Sequence, residues 1–240
     1  MSRLRDKVIL ITGAAGGIGS AIATAIAREG GRAVLTDVAG KPGMDHALNV
    51  TSEDDWVRVM GDIGKTGKLD GLVNAAGIAP IGTVEGTDYA VWRKVMAINL
   101  DGTFLGCKHG MGLIKRNGGS IVNISSVSGI VAGHNLAAYN ASKGGVRLLT
   151  KSVALHGARQ KPQVRCNSVH PTFIEGPMAE ALFKTVPNPA EVKARMERQI
   201  PLQRFGKPSE VADLCVYLLC DESVFVTGAE FVIDGGLTAQ

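Results

Sequence analysis

Tyr139 and Lys143 stand four residues apart in "AAYNASKGG", residues 137–145. On a helix that spacing places both side chains on one face. A phenol beside an ammonium is a candidate general acid for a carbonyl oxygen, and its phenolate a candidate base for an alcohol. Free tyrosine titrates near 10, so bringing it near 7 takes about three units, or about 4 kcal/mol of preferential phenolate stabilisation. The pair alone is a weak signal. With 3 tyrosines and 13 lysines among 240 residues, chance placement gives roughly 0.16 such pairs. Two stems packing side by side on a helix surface is the ordinary use of the spacing.

A second group of residues bears on phosphate. "TGAAGGIG" (12–19) lies between a strand-like run and a helical one, its spacing Gly13, three residues, Gly17, one residue, Gly19. Glycine lets the backbone turn sharply and approach a pyrophosphate, and the helix that follows offers free N–H groups and the positive end of its dipole. The spacing is not the strict GxGxxG fingerprint, and a glycine turn that only packs helix on strand is the competing reading. Asp37, eighteen residues after Gly19, ends the next strand. A carboxylate there accepts from adenosine ribose hydroxyls and repels a 2′-phosphate. No Arg or Lys stands within the glycine turn, so NAD is expected rather than NADP. "GKT" (64–66) is no P-loop, because the required glycine is Val59.

Composition sets the frame for these groups. Hydrophobic residues make up 45% of the chain and charged ones 20%, and glycine is abundant at 31. The apolar content is mostly Ala, Val, Ile and Leu, which suits buried parallel strands covered by helices. The apolar run Val8–Ile11 is too short for a signal-peptide core and no stretch reaches membrane-spanning length, so a cytoplasmic protein without membrane contact is expected. Cys107, Cys166, Cys215 and Cys220 lie in apolar segments and read as buried reduced thiols. The five histidines form no HxxxH pair, and no metal motif is present. The net charge of +4 is dispersed and predicts no nucleic-acid partner.

Strand-like and helical segments alternate along the chain. Strands are expected at 7–12, 32–37, 46–50, 69–77, 119–126, 164–171 and 230–236. Helices are expected at 16–30, after Ser52, from Thr87 to about Ile114, at 137–158 and at 207–220, with Pro208 in the first turn of the last. The stretch from 172 to about 200 reads as loop-rich. This order predicts one α/β domain over 1–240: a Rossmann-type, doubly wound parallel sheet of about seven strands. Its N-terminal half would bind NAD and its C-terminal half would hold catalysis and substrate. Gly40, Pro42 and Gly43 discourage a helix between the second and third strands, so a shortened loop connection is expected there.

Taken together, these motifs resemble the classical short-chain dehydrogenase/reductase family over essentially the whole chain. The resemblance rests on "TGAAGGIG", "VNAAG" (73–77), "INL" (98–100), "VNISSVSG" (122–129), "YNASK" (139–143), "VHPTFIEGPM" (169–178) and "FVIDGG" (231–236). The closing segment is similar to bacterial secondary-alcohol and hydroxysteroid dehydrogenases. The resemblance implies a catalytic Ser126, Tyr139, Lys143 and Asn99. Ser126 is selected by its distance of thirteen residues from the tyrosine, and strand alternation turns Ser125 away. In that scheme Ser126 hydrogen-bonds the substrate oxygen, Lys143 and the positive nicotinamide ring stabilise the phenolate, and Asn99 anchors a proton-relay water. The implied cofactor contacts are Gly13, Gly17, Ile18, Gly19, Asp37, Asn49, Val50, Asn74, Ala75, Gly77, Tyr139, Lys143, Pro171 and Ile174.

The sequence departs from the family pattern in three places. Thr172 follows Pro171 where glycine is usual, Gly176 replaces a threonine that helps grip the carboxamide, and Asn49 replaces an aspartate. The Asn49 oxygen is expected to accept from the adenine amine without the charge. Val131, Leu136, Phe173 and Met178, with Ser126 and Tyr139, are expected around an apolar substrate. That points to a hydrophobic or cyclic alcohol, steroid-like ones included; the same side chains read equally as core or as subunit contact. A 3-oxoacyl-thioester reductase is an alternative that Asp37 disfavours. A non-catalytic scaffold is another, disfavoured because all four catalytic positions are filled. The resemblance further implies a homotetramer, and a C-terminal magnesium contact through Gln240.

Overall fold

The computed structural model describes residues 2–184 and 186–240. Among them, seven strands form one parallel sheet in the order β3-β2-β1-β4-β5-β6-β7. The strands are β1 (Val8–Thr12), β2 (Arg32–Asp37), β3 (His46–Ala47), β4 (Gly71–Asn74), β5 (Gly119–Ile124), β6 (Val164–Pro171) and β7 (Glu230–Ile233). Helices α1 (Gly17–Arg28) and α8 (Pro208–Leu219) cover one face. Helices α2 (Glu53–Thr66), α4 (Gly102–Ile114) and α5 (Ala137–Gly157) cover the other.

Strand alternation builds both halves of the core. Ile9 and Ile11 of β1, Val73 of β4 and Val122 of β5 point to the α1/α8 layer with Ile22, Ile26, Val211 and Val216. Their neighbours Leu10, Leu72 and Ile121 point the opposite way, to Trp56, Val59, Met111 and Ile114. Each such side chain contributes about 1.5–3 kcal/mol on burial. A strand buried on both faces therefore reads as a continuous apolar run, as "VILI" does.

The sheet reverses its winding between β1 and β4. Helices leave to opposite sides there and open a crevice at the carboxyl ends of the two strands. The glycine turn after β1 and the "AAG" loop after β4 border this crevice.

Several expected boundaries move; the strands expected to reach 77, 126 and 236 end at Asn74, Ile124 and Ile233. The third strand stops at Ala47 instead of Val50. The Asn49 side-chain oxygen accepts from the Thr51 N–H at 3.1 Å and the Thr51 hydroxyl at 2.9 Å, which bends the chain out of the sheet. The Thr87 hydroxyl donates back to the Thr83 carbonyl at 2.6 Å, so the N-cap position falls to Asp88. The long helix that follows is α3 (Tyr89–Met96), a π-helical turn (Ala97–Asp101) and then α4. Residues after 172 contain two short helices, α6 (Pro177–Phe183) and α7 (Pro189–Glu197). Each begins with a proline that is tolerated in the first turn.

Residues 38–45, between β2 and β3, form a loop without a helix. The Asp45 carboxylate accepts from the Leu35 N–H at 2.7 Å and ties the loop along β2. A cleft of about 570 Å³ remains between this loop and α1, lined by Ala14, Ala15, Ser20, Thr24, Lys41 and others.

Ile121 is fully buried at the centre of the sheet, paired with Leu72 and Cys166. Ile121→Ala is expected to lower unfolding free energy by about 2–5 kcal/mol, measured by urea denaturation followed by far-ultraviolet circular dichroism.

Candidate active site

Three segments converge at the carboxyl edge of the sheet. The end of β5 supplies Ser126, the first turns of α5 supply Tyr139 and Lys143, and the π-helical turn supplies Asn99. Lys143 is buried, 5% exposed. Its amine donates to the Ile124 carbonyl at 2.7 Å and lies 5.7 Å from the centre of the Tyr139 ring. Burial disfavours the ammonium and draws the lysine down to about 8.

Tyr139 behaves differently from the sequence expectation in the chain alone. Burial raises its pKa, and the side-chain interaction with Ser126 offsets only part of that rise. A phenolate near neutral pH therefore requires positive charge in addition to what desolvation permits. The Ser126 hydroxyl accepts from the Ser128 N–H at 3.1 Å and makes a longer contact, 3.4 Å, with the Pro171 carbonyl. Ser125 points elsewhere and donates to the Lys143 carbonyl at 3.0 Å.

Asn99 is fully buried. Its side chain accepts from the Ile78 N–H and donates to the Ile78 carbonyl, both at 2.9 Å, and also donates to the Ser142 hydroxyl at 3.0 Å. It thereby holds the loop after β4 in place. A Cβ on Gly77 would lie 3.3 Å from the Asn99 oxygen and 3.6 Å from the Lys143 amine, so both groups border that glycine. The main-chain carbonyl of Asn99 accepts from the Thr103 hydroxyl at 2.7 Å.

The glycine turn has the shape a dinucleotide pyrophosphate needs. Gly13 has φ +67°, and a Cβ there would meet Ala76 Cα at 2.8 Å. A Cβ on Gly19 would collide with the Gly13 carbonyl. Helix α1 has no side-chain cap at Gly16 and no acidic residue in its first turn, which leaves its N–H groups and dipole free for an anion. Ile18 packs on the core beneath this turn. A Cβ on Gly17 would touch Pro177 at 3.2 Å, so the segment after β6 crosses over the turn. The Asp37 carboxylate accepts from the Ala15 N–H at 3.0 Å and the Val38 N–H at 2.8 Å. Each oxygen keeps a lone pair for a hydroxyl. These residues fit a nicotinamide dinucleotide.

Several expected contacts are placed elsewhere. The Asn49 oxygen is already engaged by Thr51, which removes it as an acceptor for adenine. Val50 is buried against Gly102, and its carbonyl accepts from the Trp56 indole at 3.0 Å. The Asn74 side chain turns into the core and donates to the Asn123 oxygen at 2.8 Å, so it braces β4 and β5 rather than facing a nucleotide. Ala75 does face the crevice loop, its N–H held at 3.1 Å by the Thr12 hydroxyl. Ile174 pairs with Gly206 in an isolated bridge.

Among the apolar candidates, the Phe173 ring stacks on Phe205 with centroids 5.5 Å apart, inside a small aromatic cluster that includes Phe183. Val131 and Met178 are exposed, and Leu136 is half-buried at the start of α5, bridged to Gly82. Gln240 donates to the Gln199 carbonyl at 3.1 Å. Among the described residues no group of three His, Cys, Asp or Glu side chains could hold a metal ion, and no helix is long and apolar enough to cross a membrane.

Sequence reading missed Thr12, Ser142 and His170. All three lie within quoted motifs, but the partners that give them roles, Ala75 and Ala76, Asn99 and Ser126, come from distant segments.

Residues 13–238 match the family model described as enoyl-(acyl carrier protein) reductase. The chain is 39% identical over 254 residues to an NADP-dependent (R)-specific alcohol dehydrogenase of Lentilactobacillus kefiri, covering 99% of each. It is 37% identical over 257 residues to a cyclopentanol dehydrogenase of Comamonas testosteroni, covering 100% of each. The solved structure of ligand-free aldohexose dehydrogenase from Thermoplasma acidophilum superposes with a TM-score of 0.91 at 36% identity, covering 100% of this chain and 96% of that one. The chain belongs to the classical short-chain dehydrogenase/reductase family, whose members are nicotinamide-dependent oxidoreductases.

The titration of the Tyr139–Lys143 pair predicts opposite pH limbs for the two directions. With Tyr139 as proton donor, reduction of a carbonyl would consume its proton and need Lys143 charged, so its rate is expected to hold below, and fall through, the lysine pKa of about 8. Oxidation of an alcohol needs the phenolate, so its rate rises with pH. Initial rates from pH 6 to 10 (about four units) in both directions check this; parallel limbs would contradict it.

Proposed function

We propose that the chain is an NAD-dependent dehydrogenase interconverting a hydrophobic secondary alcohol, cyclic alcohols among them, and its ketone. The observation that carries the reading is the convergence of Ser126, Tyr139 and Lys143 beside a crevice whose far wall is the glycine turn and Asp37.

In ketone reduction the Ser126 hydroxyl donates to the carbonyl oxygen, strengthening as negative charge develops there. Tyr139 passes its phenol proton to that oxygen. Lys143 favours the resulting phenolate by charge, returns a proton to it and is itself reprotonated from solvent. Asn99 keeps the Ile78 loop and the Ser142 hydroxyl in place beside Lys143. NADH held by the glycine turn and Asp37 would supply the hydride for the carbonyl carbon, and with the Tyr139 proton this would complete the alcohol. Oxidation runs the same residues in reverse.

The NAD preference rests on Asp37. Its carboxylate stands at the end of β2 with free lone pairs for ribose hydroxyls, where a 2′-phosphate would meet its charge. Lys41 lines the adjoining cleft, so removing Asp37 leaves positive charge beside that position. Asp37→Ser is expected to improve kcat/KM with NADPH by about tenfold or more while weakening NADH. Unchanged cofactor ratios would refute the assignment.

The side chains near the site support an apolar substrate: Leu136 beside Tyr139, and Val131 and Met178 exposed. Assembly as a homotetramer belongs to the same reading. Phe104 of α4 and Leu148 and Leu155 of α5 are 49%, 67% and 70% exposed, apolar surface that helix pairing would cover. Sedimentation velocity at micromolar chain concentration tests it.

Turnover is tested with a panel of cyclic and open-chain secondary alcohols and ketones, each with NAD(H) and NADP(H). Tyr139→Phe is expected to lower kcat by at least about a thousandfold while NADH still binds, measured by fluorescence titration. Full activity in Tyr139→Phe would overturn the mechanism.

A further inference from the structure

His170 is fully buried in β6, beside the site, and has no part in the chemistry above. One ring nitrogen, Nδ1, lies 3.0 Å from the Ser126 carbonyl oxygen. The other, Nε2, lies 2.8 Å from the Ser168 hydroxyl. A carbonyl oxygen only accepts, so Nδ1 carries the proton and Nε2 accepts from Ser168. Ser168 and His170 share one face of the strand by alternation, and both are fully buried. Burial lowers the His170 pKa, against an opposing hydrogen bond to Ser126, which favours the neutral ring this arrangement needs.

The position of that ring has a consequence for Ser126. The β5–β6 ladder ends at Ile124 opposite Val169. Beyond it the Ser125 N–H still reaches the Val169 carbonyl at 2.8 Å, but Ser126 has left the sheet. Its carbonyl lacks the next rung; the His170 ring spans the gap from the strand side, while the Gly129 N–H donates to the same oxygen at 2.9 Å from the following turn. The Ser126 hydroxyl meanwhile lies 3.4 Å from the Pro171 carbonyl. Three consecutive residues of β6 thus hold the two serines by main chain, ring and main chain in turn.

We propose that His170 is a positioning residue: its Nδ1–H holds the Ser126 carbonyl and thereby aims the Ser126 hydroxyl at the substrate oxygen beside Tyr139. The inference rests on the reading that Ser126 polarises that oxygen. A reacting group displaced by about 1 Å loses up to about a hundredfold in rate.

The test compares His170→Ala, His170→Asn, His170→Gln, Ser126→Ala and the double variant His170→Ala/Ser126→Ala. The asparagine amide N–H overlies Nδ1–H, whereas the glutamine amide overlies Nε2. His170→Ala is expected to lose about 10- to 100-fold in kcat, with the NADH dissociation constant within about twofold of the parent. His170→Asn is expected to recover most of the loss and His170→Gln little of it. The double variant should be no slower than Ser126→Ala, because both changes remove one contribution.

Unchanged kcat in His170→Ala would overturn the proposal. So would equal kcat in the Asn and Gln variants, or additive losses in the double variant. Should His170→Ala fail to fold, the Asn and Gln pair decides. If Ser126→Ala keeps the parent kcat, the role of Ser126 itself fails and the proposal falls with it. If Ser126→Ala is slow and His170→Ala is not, only the proposal fails.

Discussion

Lys143 keeps its amine almost wholly out of water on a single main-chain acceptor, the Ile124 carbonyl. An ammonium held this way is costly, several kcal/mol for an ion without full compensation. No carboxylate pairs with it among the described residues. Its charge is therefore not cancelled, and the phenol 5.7 Å away is placed to feel it. The same desolvation that draws Lys143 to about 8 raises Tyr139. Two groups whose ordinary values lie close together are both made less willing to ionise, so a charge arriving beside them has a large effect. That constraint explains the surroundings. Asn99, Ser142 and Ile78 tie the loops around the pair, and the ends of β5 and β6 hold Ser126 against it.

The sheet supplies the second requirement, which is to bring a dinucleotide to this pair. The reversal between β1 and β4 opens the crevice, and the Thr12 hydroxyl links its two walls by accepting from the Ala75 and Ala76 N–H groups at 3.1 and 3.2 Å. Gly13 and Gly19 allow the turn to close against Ala76 and against itself. The segment after β6 packs on the far side of that turn through Pro177. Cofactor wall and catalytic wall are therefore parts of one packed edge rather than separate modules.

What the sequence made legible was local in origin. Alternating strand and helix patterns yield the doubly wound sheet, and "TGAAGGIG" before a helix yields the glycine turn at the uncapped start of α1. The spacing of Tyr139 and Lys143 survives folding because an α-helix fixes the geometry of residues four apart. What was not legible depended on contacts between distant segments or on competing short-range bonds. Asn49 looked like an adenine acceptor, but Thr51 two residues on takes its oxygen. Asn74 lies in a strand buried on both faces, so alternation could not say that it would meet Asn123 across the sheet. Phe173 is drawn to Phe205, thirty-two residues later, instead of lining open space. His170 meets Ser126 forty-four residues away in sequence. The stretch from 172 to about 200 read as loop-rich, whereas Pro177 and Pro189 each open a short helix within it.

The central claim is that positive charge in the assembled site stabilises the Tyr139 phenolate. The most direct measurement is an ultraviolet difference titration of phenolate absorbance in the NAD-bound protein, with Tyr139→Phe subtracted to isolate one of the three tyrosines. The account predicts a Tyr139 transition well below the free value of about 10, moving back upward in Lys143→Met. A transition at or above about 10 in the NAD-bound protein, unchanged by removing the lysine, would contradict it.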